Sequence, residues 1–371
     1  MGIRLVSLIV ASLLVALAAP EGARAQNAIP CEFEAPDRII AVGTIGGELS
    51  RFQDILYQME LLDLDLNWSG GSAHLVILGN SFGPGPDLEK VHEFIRSLSA
   101  QAEKAGGMVH LLLGPTEVQT LRSDFGPLID GEIPPYTRLI TPQSEEKRER
   151  AVERLMAQQA EFNKGDRWFD LLKRDYQRAL DEYFKPGAAE LEAMLAPGTD
   201  LGDWLRSRNA VIRIGDYIFC HAGVSPKFAE MELSEINEIV REQVAEQKVW
   251  FPVMRDEMDP IWYSGLTSSR EADTRQTAEW VLYHLGARGM VMGKAPTVNV
   301  QRSGRLFYVQ SNILDLLGAP LNALELRGDA YVLHNAGETA SGDKPAPLPQ
   351  EEPPAPPGVG EEEAAAQAAP H

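Results

Sequence analysis

Apolar residues recur along this chain in two rhythms. Arg38-Ile39-Ile40-Ala41-Val42-Gly43 is a short apolar run stopped by glycine, the pattern of a buried strand. Over residues 49–62 the spacing becomes helical, with Phe52, Ile55, Leu56 and Met59 on one face. A second strand is predicted over residues 74–79, ending in a loop crowded with Gly83, Pro84, Gly85 and Pro86. A helix over residues 88–105 and a third strand over 108–113 follow. Strand alternating with helix predicts a largely parallel sheet covered by helices, with ligand sites on the loops beyond the carboxyl ends of the strands.

The pattern then changes. Residues 142–208 open with Glu145-Glu146-Lys147-Arg148-Glu149-Arg150 and read as a charged helical insertion lying over the sheet. Beta structure resumes at Val211-Ile212-Arg213-Ile214, turns at Gly215-Asp216, and returns through Tyr217-Ile218-Phe219-Cys220. Further strands are predicted over 289–292, 306–309 and 331–333. The Pro-, Ala- and Glu-rich residues 336–371 offer too little apolar surface to offset the entropy of ordering, and read as a disordered acidic tail. At the other end, Arg4, an apolar run over residues 5–19 and Ala23-Arg24-Ala25 have the form of a cleaved export signal covering residues 1–25. The run is short for a membrane span, which needs about 20 residues. The expectation is a periplasmic or secreted protein whose folded domain covers residues 26–335, with no stable membrane insertion after cleavage.

Charge narrows the partners. The 371 residues include 54 acidic and 34 basic side chains, a formal net charge of −20. Such a surface repels nucleic acid and anionic headgroups, so neither is expected as a partner; an unknown protein or an anionic ligand held by the strand-end loops is. The two cysteines, Cys31 and Cys220, could close a disulfide in an oxidising compartment or stay as buried thiols.

Glycine-bounded loops stand at the strand ends. They read Gly43-Thr44-Ile45-Gly46-Gly47-Glu48, Gly79-Asn80-Ser81-Phe82-Gly83-Pro84-Gly85-Pro86-Asp87, Gly114-Pro115-Thr116-Glu117, His221-Ala222-Gly223-Val224-Ser225-Pro226 and Gly293-Lys294-Ala295-Pro296-Thr297. In this order they resemble the G-D-x-H-G-D, G-D-x-V-D-R-G-P, G-N-H-E, H-G-G-x-S-P and G-H-T-P motifs of the calcineurin-like metallophosphoesterases. The bacterial serine/threonine protein phosphatase-like branch is the nearest match. The likeness covers residues 37–334, including Trp204-Leu205-Arg206-Ser207-Arg208 and Pro260-Ile261-Trp262-Tyr263. It implies an α/β sandwich of two mixed β-sheets flanked by helices.

It also implies a site of two divalent metals, and here the chain departs from the family. Thr44 and Gly46 stand where the first loop has its Asp and His ligands, and Asn80 where the bridging Asp belongs. Pro115 replaces the amide ligand, Thr116 the proton-donating His, and Lys294 the last His, while His221 survives. Pro84 stands where an Arg grips phosphate. Two cations about 3.5–4 Å apart need anionic and imidazole ligands to offset their repulsion. A neutral Asn80, a bare Gly46 and a cationic Lys294 do not supply them. No cofactor is therefore expected, and the resemblance implies a pseudophosphatase. Its pocket could bind a phosphate through His221, Lys294 and loop N–H groups, or Lys294 could neutralise Glu117 or Glu48 as an ion pair. An altered metal-free chemistry using Glu117, His221 or Lys294, and an envelope role carried by the tail, are the competing expectations. His74, His92, His110 and His284 read as structural.

Overall fold

The N-terminal strand–helix rhythm builds one half of a sheet. In the computed structural model, β2 (Arg38–Val42), β3 (His74–Ile77) and β4 (Met108–Leu111) pair in parallel, Ile39 against His74 and His74 against Met108. The structure describes residues 29–123, 188–245, 256–267, 271–296, 299–311, 321–335 and 338–346, with isolated positions at 146, 149–150, 152–153, 156–157 and 313. The predicted signal, most of the 142–208 insertion and residues 347–371 lie outside them.

Three antiparallel strands complete this sheet, β10 (Ala323–Arg327), β11 (Ala330–Asn335) and β12 (Glu338–Asp343), in the order β12-β11-β10-β2-β3-β4. A second six-stranded sheet has the order β1-β5-β6-β7-β9-β8. Its members are β1 (Glu32–Phe33), β5 (Val211–Ile214), β6 (Tyr217–Cys220), β7 (Gly289–Met292), β8 (Gln301–Ser303) and β9 (Leu306–Tyr308). Among the described strands, β2-β3-β4, β6-β7-β9 and β1-β5 pair in parallel and the others antiparallel, so both sheets are mixed. Residues of both sheets join one buried apolar cluster running from Cys31 to Leu333.

The helices form where the apolar stripe predicts them. In α1 (Leu49–Gln58), Phe52, Ile55 and Leu56 are buried. This helix stops short of residue 62 because Glu60 takes a left-handed φ of 54° and the Leu61 N–H turns back onto Leu56 O at 2.9 Å. In α2 (Leu88–Ala105) the buried positions are Leu88, Val91, His92, Ile95, Leu98 and Ala102, and Gly106 ends it at φ 83°. Fully burying Ile95 or Leu98 stabilises the packing by about 1.5–3 kcal/mol each. The short α3 (Pro115–Leu121) begins with proline, whose missing N–H costs nothing at a helix start. Of the predicted insertion, α4 (Ala188–Met194) and α5 (Asp200–Arg206) are described. The remaining described helices are α6 (Leu233–Ala245) and α7 (Glu271–His284). Among the described residues no helix is long and apolar enough to cross a membrane.

One expectation differs from the structure. Strand β12 lies inside the segment read as a tail from residue 336, its Glu338 opposite Asn335 and its Asp343 opposite Ala330. Composition missed it because a sheet edge is held by backbone hydrogen bonds, which polar side chains do not prevent. The Lys344 ammonium, 5.2 Å from the Tyr217 ring centroid, follows directly. Of the two alternatives left open for the cysteines, the structure has buried free thiols at Cys31 and Cys220. Burial pushes the Cys220 thiol up to about 12.

Candidate functional site

The carboxyl ends of β2, β3, β6, β7 and β9 open onto one cleft of about 350 Å³. It is lined by Thr44, Asn80, His221, Gly293, Lys294, Ala295, Pro296 and Gln310. Four of the positions singled out from the sequence therefore meet: Thr44, Asn80, His221 and Lys294. Gly46, Pro115, Thr116 and Glu117 do not line the cleft but pack behind it. Sequence reasoning missed Gln310, although its place just past β9 at a strand's carboxyl end was a usable signal.

Behind the cleft, the first two loops close on each other through their backbones. Ile45 and Gly46 N–H donate to Asn80 O at 3.0 and 2.9 Å, Gly47 N–H to Ser81 O at 2.9 Å, and Gly85 N–H to Gly46 O at 2.8 Å. Only glycine permits this approach: a Cβ on Gly83 would lie 2.5 Å from the Gly46 Cα, and one on Gly85 would lie 2.4 Å from the Gly47 carbonyl carbon. The Gly46 main chain is thus in direct contact with that of Gly83 and Gly85.

His221 has a fixed tautomer. Its Nδ1 lies 2.8 Å from Leu78 O, and a carbonyl only accepts, so Nδ1 carries the proton. Nε2 then accepts from the Asn80 amide, whose Nδ2 is 3.4 Å away. The same amide's Oδ1 accepts the Thr116 N–H at 3.2 Å, which sets its orientation. Burial lowers the His221 pKa, Lys294 adds to that, and the Leu78 hydrogen bond and Glu117 oppose it. Lys294 follows β7; its main-chain N–H donates to His221 O at 2.7 Å and its Nζ to Trp262 O at 3.2 Å. Burial lowers the Lys294 pKa as well.

Glu117 is fully buried, and its partners are not the ones proposed from charge. No ion pair joins it, or Glu48, to Lys294. Its Oε1 accepts from Ser81 N, Ser81 Oγ, Phe82 N and Thr116 Oγ1 at 2.6, 2.7, 3.3 and 3.3 Å. Its Oε2 accepts from Asn80 N and Gly114 N at 2.9 and 2.8 Å. Main-chain donors replace the expected ammonium, which leaves Lys294 facing the cleft. Among the described residues, no three His, Cys, Asp or Glu side chains converge to hold a metal ion. The other histidines are hydrogen-bonded within the fold, as the sequence suggested: His74 with His110, His92 with Leu88 and His284 with Trp280.

Solved structures with a similar fold include a phosphatase. The cold-active protein tyrosine phosphatase of a psychrophilic Shewanella superposes with a TM-score of 0.61 at 22% identity, over 84% of this chain and 82% of that one. The chain has the calcineurin-like metallophosphoesterase fold. A Shewanella-like protein phosphatase 2 of Arabidopsis thaliana is 24% identical over 229 residues, 60% of this chain. The chain thus spans 56% of that plant protein's length. An uncharacterised protein of Schizosaccharomyces pombe is 23% identical over 290 residues, 77% of this chain and 76% of its own. No family model matches. On this metallophosphoesterase fold, Thr44, Asn80, His221 and Lys294 occupy the strand-end cleft, and Glu117 serves the loops behind it.

Proposed function

We propose that this protein is a non-catalytic member of the metallophosphoesterase fold whose strand-end cleft binds a small anion, a phosphate group by preference, without cleaving it. The observation that carries the reading is the donor set of the cleft. Thr44 offers a hydroxyl and Lys294 an ammonium, while the neutral Asn80 amide is committed to His221 and Thr116 and the His221 Nε2 accepts from it. The fold family implies two divalent cations here, and these residues do not fit them. A metal pair needs bridging anionic oxygen, whereas Lys294 adds positive charge of its own. Without carboxylates in the lining, an anion is the complement to Lys294, with Thr44 Oγ1 as a further donor.

The leader-like first 25 residues support a place outside the cytoplasm, and the net charge of −20 argues against nucleic acid as partner. A protein carrying a phosphorylated or acidic group is the partner class that fits the cleft.

Calorimetric titration with inorganic phosphate, beside elemental analysis and a phosphatase assay over added Mn²⁺, Fe²⁺ and Zn²⁺, tests this reading. Saturable phosphate binding that falls at least tenfold in Lys294→Ala, in protein without tightly bound transition metal, is the expected result. Two tightly bound metals with metal-dependent hydrolysis would overturn it.

A further inference from the structure

His92 on α2 and Glu117 on α3 meet through Ser81, in the loop after β3, and all three side chains are buried. Hydrogen-bond distances along this path determine how many protons it must contain. Nδ1 of His92 lies 2.8 Å from Leu88 O; a carbonyl only accepts, so Nδ1 is protonated. Nε2 lies 2.8 Å from Ser81 Oγ, and that oxygen lies 2.7 Å from Glu117 Oε1. Each of these three contacts requires one proton. A neutral imidazole brings one and the serine hydroxyl one, while a carboxylate brings none. One contact is left without a proton, and two lone pairs facing each other at that distance repel.

We infer that the Glu117–Ser81–His92 chain holds one proton beyond those of a neutral imidazole and a carboxylate, and so acts as a buried acid–base unit of zero net charge. A proton shared along the hydrogen-bonded chain leaves the buried unit without net charge. Burial disfavours a charged His92, while Glu117 and the Leu88 hydrogen bond favour it. The groups facing the unit are few. The Phe82 and Trp204 rings lie 4.5 and 6.2 Å from the imidazole, and Arg96 and Arg208 sit over Trp204. His221 is reached only through Asn80, and Lys294 lies beyond it.

The unit also orients the cleft. The Glu117 carboxylate that ends the chain receives the N–H groups of Asn80, Ser81 and Phe82, and Asn80 then presents its amide to His221. Ser81 and His92 are therefore positioning residues, placed behind the cleft and not in it. This inference stands on the hydrogen bonds alone and does not depend on what the cleft binds.

The test uses the full chain with ¹⁵N-labelled histidine and ¹³C-labelled glutamate carboxyl groups, near neutral pH. Long-range ¹H–¹⁵N NMR reads the protonation of each His92 nitrogen, with His92→Gln identifying the signal. Infrared spectroscopy reads whether a buried, isotope-sensitive protonated carboxyl band is present. The expected result is one of two signatures, an imidazolium at His92 or a carboxylic acid at Glu117. Ser81→Ala, which cuts the path, should abolish it. A wild-type protein showing neutral Nδ1–H imidazole at His92 and no protonated carboxyl band would overturn the inference. So would a Ser81→Ala protein that keeps the signature. The wild-type spectra decide the proton count even if the variant does not fold.

Discussion

Asn80 clasps His221: its Nδ2 lies 3.4 Å from the histidine Nε2 while its Oδ1 accepts the Thr116 N–H at 3.2 Å. To do so Asn80 takes a left-handed φ of 57°, a conformation asparagine tolerates and alanine resists. Asn80→Ala loses both hydrogen bonds and adds backbone strain, about 2–3 kcal/mol together. Asn80→Gly loses only the hydrogen bonds and should cost about 1–2 kcal/mol. Urea denaturation separates the two; equal losses would show that the backbone conformation is not what asparagine supplies.

Glycine at position 83 is a packing requirement. A Cβ there would meet the Gly46 Cα at 2.5 Å, main chain against main chain, so no side chain can yield. Gly83→Ala should cost more than about 2 kcal/mol by forcing the two loops apart. Gly71→Ala is the control, since Gly71 has φ +56° but nothing within 4 Å of an added Cβ. That variant carries only the left-handed strain, about 1 kcal/mol. Thermal melts of the pair should rank them in that order, and a milder effect at Gly83 would contradict the closed loop contact.

Glu117→Gln tests the nest behind the cleft. The wild-type oxygens accept from the main-chain N–H groups of Asn80, Ser81, Phe82 and Gly114. A glutamine amide would turn an NH₂ toward two of those donors and leave them unpaired in the interior. The expected loss is about 2–4 kcal/mol by chemical denaturation, far above the roughly 0.5 kcal/mol of a surface exchange. A change near that smaller figure would mean that water enters the nest.

The fold was legible because local pattern and global architecture agree. The apolar runs at 38–42 and 74–77 became adjacent parallel strands, and the helical stripe of residues 88–105 became α2 without displacement. Strand β12 was illegible, since its hydrogen bonds are main-chain and its side chains are mostly exposed. In the site, the strand-end loops carry Thr44, Asn80, His221 and Lys294 to one cleft. The partner of Glu117 could not be read the same way. A carboxylate and an ammonium in neighbouring loops suggest an ion pair by charge alone, but the donors that satisfy Glu117 are backbone N–H groups, which every residue except proline has. His92 read as a structural histidine, and its link to Glu117 through Ser81 depends on loop geometry that spacing does not encode.

Acid should weaken this fold through a histidine pair far from the cleft loops' carboxylate. His74 on β3 and His110 on β4 share a hydrogen bond, Nδ1 to Nε2, of 3.2 Å, with the Phe33 ring edge-on to both. Burial lowers His74 to about 4; burial, then His74 and Arg208, lower His110 to about 3. In the unfolded chain both titrate near their ordinary value of about 6.5. Between that value and the folded ones the unfolded state binds more protons, so stability rises with pH across the window. The contribution is complete above about pH 6.5 and is lost as pH falls toward about 4, a change on the order of 2–4 kcal/mol for the pair. His221 is also lowered by burial and steepens the same trend, so a variant must isolate the pair. His110→Gln can keep the hydrogen bond to His74 but cannot titrate. Urea midpoints measured from about pH 7 to about pH 4 should fall less steeply in that variant than in wild type, and parallel curves would show that the His74–His110 pair does not sense acid.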